Sequence, residues 1–108
     1  MIASQNLAIV IEHNYTWNES KFYCQYNFNT SLINLKDIQY IDGITNLLQS
    51  INIYNATFWV NGYYKNELCD TLSVPAEKYG LISCEAVHPF ICECMLSMYI
   101  YSTFILFC

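Results

Sequence analysis

The chain contains no arginine, and its four lysines stand against nine acidic residues, for a net charge of -5. That balance excludes a nucleic-acid binder, whose basic patches must neutralise phosphates, and it offers no polybasic attraction to anionic lipid. Charged residues are scarce altogether, at 12%. Internal repeats, low-complexity tracts and linkers are also missing. The first apolar stretch, Leu7 to Ile11, is short and has no basic residue before it, so it fails as a signal peptide. The last, Met95 to Cys108, is uncharged but falls short of the ~20 residues of a spanning helix. It is expected to be an anchor that associates with a membrane, a core strand or the product of a truncation.

What is present is hydrophobic and aromatic: 55% apolar residues, ten tyrosines and two tryptophans in 108 residues. This is the composition of one globular domain rather than a disordered chain. Six cysteines in so short a chain favour an oxidising compartment. Four N-x-[ST] triplets, at Asn14, Asn18, Asn29 and Asn55, agree with a secreted or cell-surface location, because they become glycan acceptors in a secretory pathway.

Half of the cysteines crowd into "ISCEAVHPFICECM". Cys84, His88, Cys92 and Cys94 form a C-x3-H-x3-C-x-C pattern that could chelate zinc. A cysteine beside His88 could be a nucleophile beside its base, although no acid stands where it would orient the ring; otherwise His88 is a surface loop residue. The same cysteines could equally be staples with partners elsewhere. The pattern alone does not choose.

Periodicity supplies the elements. "LAIVIEH" is β-branched and reads as a first strand. Thr16 followed by Glu19 is a capping box, which predicts a helix whose buried stripe is Trp17, Ser20 and Cys24. "SLINL" is a short strand or turn. Ile38, Ile41, Ile44, Leu47 and Leu48 repeat at helical spacing behind Asp37, predicting a second helix weakened by Gly43. "TFWVNGYY" is a β-rich run around Asn61-Gly62, a turn dipeptide. Strands are expected near Glu67 to Leu72 and from Leu81 to Cys84, with Pro75 in a loop between them, and "PFICEC" supplies the last core strand. The order is that of an α+β fold, not a βαβ repeat.

Four of these segments, in this order, resemble the C-type lectin-like domain family. "TWNESKFYC" is similar to its first helix, and "SLINLKDIQYIDGITNLL" to the approach and body of its second. "FWVNG" resembles the family's Trp-Ile-Gly-Leu strand, with Asn61 in place of a glycine. "CEAVHPFICE" is similar to its ending. The resemblance covers residues 15–94, leaving residues 1–14 as an amino-terminal strand region and 95–108 as an apolar tail. It implies two helices packed on small antiparallel sheets, and it implies disulfides Cys24–Cys92 and Cys69–Cys84. Cys94 and Cys108 are left to pair with each other, to link two chains as a dimer, or to stay free.

The departures from the family bear on function. Its amino-terminal cysteine pair and first tryptophan-bearing strand are missing, as in a short or truncated member. Its calcium site takes oxygens from a Glu-Pro-Asn or Gln-Pro-Asp loop and from a Trp-Asn-Asp tripeptide. Here only "YYKNEL" separates Gly62 from Cys69, and Tyr79, Gly80 and Leu81 stand in place of the tripeptide. Glu67, Asp70 and Glu77 could make at most an acidic patch, and solvated side chains are the plainer reading. No metal and no cofactor are expected. The resemblance therefore implies a calcium-independent, non-enzymatic module that binds a glycan or glycoprotein outside the cell. Its contact residues would be Asn61, Tyr63, Tyr64, Asn66, Glu67 and Tyr79, with core packing as the competing role for the tyrosines. The alternative is a degenerate decoy or structural domain with no sugar site of its own, acting through protein–protein contact. Trp17 and Trp59 are expected in the core.

Overall fold

The structure is a computed structural model that describes residues 7–35, 37–74, 78–93 and 104–107. Strand β1 (Leu7–Tyr15) leads into helix α1 (Trp17–Phe28), and helix α2 (Ile38–Ser50) follows. Strands β2 (Ala56–Tyr64), β3 (Leu68–Val74), β4 (Lys78–Ser83), β5 (His88–Glu93) and β6 (Phe104–Phe107) complete the chain. They form a six-stranded sheet in the order β4-β3-β2-β5-β1-β6. Every pairing is antiparallel except the central one, where β2 and β5 run parallel and meet at Trp59 and Phe90.

Helix α1 begins where its capping box places it. The Thr16 hydroxyl accepts from the amide of Glu19 at 3.3 Å, and the Glu19 carboxylate accepts from the amide of Thr16 at 2.9 Å. Two otherwise orphaned donors are thereby satisfied. The helix stops at Asn29, whose left-handed backbone (φ 57°) turns its N–H back onto the carbonyls of Cys24 and Gln25. Its buried residues are Trp17, Ser20 and Cys24, the predicted stripe. Helix α2 is capped by Asp37, which accepts from the amide of Tyr40 at 2.8 Å, and it buries Ile41, Ile44 and Leu48.

Strand alternation divides the core between the two faces of the sheet. On one face Ala8, Val10, Trp59, Phe90 and the disulfide cysteines pack with Trp17 and Cys24 of α1. On the other, Leu7, Ile9, Phe58, Val60, Leu72, Val74 and Ile91 pack with Ile41, Ile44 and Leu48 of α2. Both implied disulfides are in place: Cys24–Cys92 ties α1 to β5, and Cys69–Cys84 ties β3 to the turn after β4. Their sequence separations are 68 and 15 residues. In the chain-entropy model such rings stabilise by about 4 and about 3 kcal/mol.

The stretch between the helices splices the two halves of the sheet. Ile33 donates to the carbonyl of Ile91 at 2.9 Å, and its own carbonyl accepts from Asn61 at 2.8 Å. Leu32 bridges to Cys92. "SLINL" thus has the backbone partners of a strand without being one.

The expected turn is corrected. The chain does not reverse at Asn61-Gly62; both lie inside β2, at an irregularity between Trp59 and Tyr63. Gly62 has φ 151°, and a Cβ there would stand 2.3 Å from a carboxylate oxygen of Asp70. Its role is close approach between strands, which only a residue without a side chain permits. The reversal comes at Lys65–Glu67, where Asn66 and Glu67 take positive φ of 69° and 57°.

Candidate functional site

The site is built on Trp17, which opens α1 and is held from three directions. Its amide donates to the carbonyl of Cys84 at 3.1 Å, and its indole N–H donates to the carbonyl of Val60 at 3.0 Å. Those bonds and the capping box fix the first turn of α1 against β2 and the second disulfide. Trp17 is 4% exposed, so it forms a floor rather than a free contact surface.

Tyr63, near the end of β2, stands over one side of that floor, with ring centroids 5.6 Å apart and planes tilted by 45°. Lys21, one turn along α1, places its ammonium 5.6 Å from the centre of the Trp17 ring. That distance is within cation–π range. Asn18 follows Trp17 on the same helical turn. Trp17, Asn18, Lys21 and Tyr63 together line a shallow groove of about 380 Å³. The volume is toward the low end for small-ligand sites. Tyr63 is 55% exposed and supplies the accessible aromatic surface.

The expected contact residues divide between different places. Tyr63 joins the groove. Tyr64, its neighbour, points to the other side of the strand, where its hydroxyl donates to the Asp70 carboxylate at 3.1 Å. Asn61 is half-buried and donates from its side-chain amide to Asn34 at 2.9 Å, a link between β2 and the splice. Asn66 and Glu67 are exposed on the turn, and the Glu67 carbonyl accepts from the amide of Cys84. The Tyr79 side chain lies outside the described residues, as do Glu77, Cys94 and Cys108. Asn18 and Lys21 escaped sequence reasoning, because polar residues on a helix look like its solvated face. The signal was their position one and four residues after a tryptophan that caps a core.

Asp70 is not part of a solvated acidic patch. It is buried beside Gly62, and burial raises its pKa above the ordinary carboxylate range while the Tyr64 hydroxyl pulls it down. His88 is likewise not a surface loop residue. It opens β5 half-buried, with its ring edge against Trp59 at 5.2 Å, and burial lowers its pKa. The zinc reading of Cys84 and Cys92 is closed by their disulfides. Among the described residues no three His, Cys, Asp or Glu side chains converge to hold a metal. Gly80 and Leu81 belong to the regular β3–β4 ladder, opposite Thr71 and Asp70. Trp59 is fully buried, its indole donating to the carbonyl of Tyr15 at 2.8 Å. The four triplet asparagines, Asn14, Asn18, Asn29 and Asn55, are all exposed.

Compared with known proteins, the sequence matches no family model and no curated protein. The fold does find likenesses. The snake venom toxin convulxin superposes with a TM-score of 0.71 at 12% identity, over 90% of this chain and 96% of that one. Human lithostathine superposes at 0.68 with 14% identity, over 86% of this chain and 95% of its own. The chain has the C-type lectin-like fold. Rhodocetin, solved in complex with the integrin alpha2-A domain, has the same fold at a TM-score of 0.62 and 15% identity, covering 84% of this chain and 92% of that one. Identities this low leave the lectin-like fold intact but carry no residue of a binding site across. No helix among the described residues is long and apolar enough to cross a membrane.

Proposed function

We infer that this domain is a lectin-like binding module that works outside the cell and engages a glycan or glycoprotein without calcium. The observation that carries the reading is the groove: an exposed Tyr63 ring, a lysine ammonium and an asparagine amide held over a rigid indole floor. Ring faces stack on the C–H faces of sugars or on apolar side chains, while Lys21 and Asn18 offer donors to hydroxyls and carboxylates. None of these contacts needs a metal. The calcium-free reading is further supported by Gly80 and Leu81, which lie in a strand and bring no side-chain oxygen. Two disulfides and four exposed glycan-acceptor asparagines favour an extracellular setting.

A second reading, contact with a protein through a surface that is not a pocket, is favoured by α1. Phe22 and Tyr26 are four residues apart on its outer side, 69% and 91% exposed. Rhodocetin on its integrin domain is a protein-binding example of the fold.

A glycan array and a panel of cell-surface glycoproteins, probed with and without chelator, test both. We expect binding that chelator does not change and that Tyr63→Ala weakens by more than about tenfold, the loss typical of an interface anchor. Binding abolished by chelator would overturn the calcium-free reading. Binding lost in Phe22→Ser/Tyr26→Ser but untouched in Tyr63→Ala would move the site to α1.

A further inference from the structure

We propose that a glycan attached to Asn18 lies across the groove and decides whether an outside ligand reaches it. The proposal rests on the groove being the binding site, and it concerns the regulation of that site.

Asn18 is both a wall of the groove and the acceptor of the triplet Asn18-Glu19-Ser20. It is exposed, and it sits one helical turn before Lys21, whose side chain it neighbours. A sugar on its side-chain nitrogen would therefore start at the rim, beside the Tyr63 ring and the Lys21 ammonium. The Lys21 ammonium and the Tyr63 ring face proposed to hold a foreign sugar would hold this one, already present at high effective concentration. Of the four candidate acceptors, only Asn18 lines the groove. Asn14 lies in β1, Asn29 ends α1 and Asn55 precedes β2.

The fold also dictates when the sugar can be added. In the transfer, C1 of an oligosaccharide carried on a lipid pyrophosphate forms a bond to the Asn18 side-chain nitrogen. The C1–O bond to the pyrophosphate breaks, and the amide gives up one proton. The transferase must reach the serine hydroxyl of the triplet as well. In the folded domain Ser20 is fully buried, its hydroxyl donating to the carbonyl of Thr16 at 2.8 Å, and Glu19 is engaged in the capping box. The triplet is thus open only before α1 docks and Cys24 pairs with Cys92. Modification and folding compete, so one sequence yields a glycan-covered form and an open form.

The test uses the full chain secreted from a glycosylating host, beside the Asn18→Gln variant made in the same way. Peptide mass spectrometry reads occupancy at Asn18, and amine acylation of Lys21 and nitration of Tyr63 read access to the groove. We expect a glycan on Asn18 and labelling of Lys21 and Tyr63 slowed about threefold or more relative to Asn18→Gln, since a seated ligand loses most of its surface to its pocket and shields it in return. Tyr26 and Tyr54, exposed elsewhere, should label alike in both. An unmodified Asn18 overturns the proposal, and so does a modified Asn18 with unchanged labelling. Failure of the binding reading looks different. The labelling contrast would stand, and neither form would capture anything from the array.

Discussion

On one face of the sheet, Trp17, Trp59 and Phe90 pack around two disulfides; on the other, Ile41, Ile44 and Leu48 pack around none. The aromatic face is also wired by polar bonds, since both indoles donate to backbone carbonyls. Among the described residues the aliphatic face buries no indole, and it leaves the Thr45 hydroxyl buried without a partner. Aliphatic packing depends on volume and tolerates exchange. Indoles with committed N–H groups and cross-linked cysteines fix positions. The groove grows from the fixed face, where Trp17 is both core and floor, and a recognition surface gains from such rigidity.

Trp59→Ala should do the most damage, costing about 3–5 kcal/mol and abolishing folding, as read by urea unfolding. Trp59→Phe keeps a ring but loses the N–H, and should cost about 1 kcal/mol or more for the unpaired Tyr15 carbonyl. If Trp59→Phe were neutral, the polar wiring would not distinguish the faces. Removing Cys24–Cys92 as a double alanine variant should cost about 4 kcal/mol, and removing Cys69–Cys84 about 3 kcal/mol. A larger loss from the shorter ring would show that local anchoring of Trp17 near Cys84 outweighs loop closure.

The aliphatic face should respond in the opposite direction. Thr45→Val removes an unsatisfied hydroxyl at nearly constant volume and is expected to stabilise by about 1 kcal/mol. A destabilised Thr45→Val would mean that the hydroxyl has a partner after all.

The smallest effect is in the pH profile, where the faces differ in sign. His88, against Trp59, has a lowered pKa. Its contribution to stability is present above its ordinary value of 6.5 and is lost as pH falls through the lowered one. Asp70, in line with Leu72 and Val74, has a raised pKa. Its contribution is complete below the ordinary 3.8 and is lost as pH rises through the raised value. Melting temperatures from pH 7 to 5 should therefore fall less steeply in His88→Phe, and Asp70→Asn should gain stability near neutrality. An unchanged acid slope in His88→Phe would assign that slope to another group.

These elements were not equally legible. Both helix starts could be read because a cap is a local device: Thr16 with Glu19, and Asp37 alone, satisfy amides within one turn. The disulfide pairing was legible through family resemblance and not through spacing. Asn61-Gly62 misled because turn propensity is local, whereas the need for a glycine there comes from Asp70 on the neighbouring strand. The separation of Tyr63 from Tyr64 was visible in principle, since adjacent strand residues face opposite ways. The groove was not, because it joins the first turn of α1 to the end of β2, and nothing local to Asn18 or Lys21 records that meeting.

The pairing of β1 with β5 bears on the order in which the chain folds. It sets Leu7 beside Glu93 and Val10 beside Phe90, joining opposite ends of the sequence, whereas β2 pairs with β3 and β3 with β4, each its immediate successor. Closing the long loop loses more chain entropy before any contact compensates for it, so such pairings form slowly. The β2–β3–β4 meander should thus form first and the ends of the chain meet last, carrying Cys92 to Cys24. For a domain that makes its disulfides as it folds, the bond Cys69–Cys84 precedes Cys24–Cys92, and trapping thiols early in oxidative refolding should recover the short ring alone.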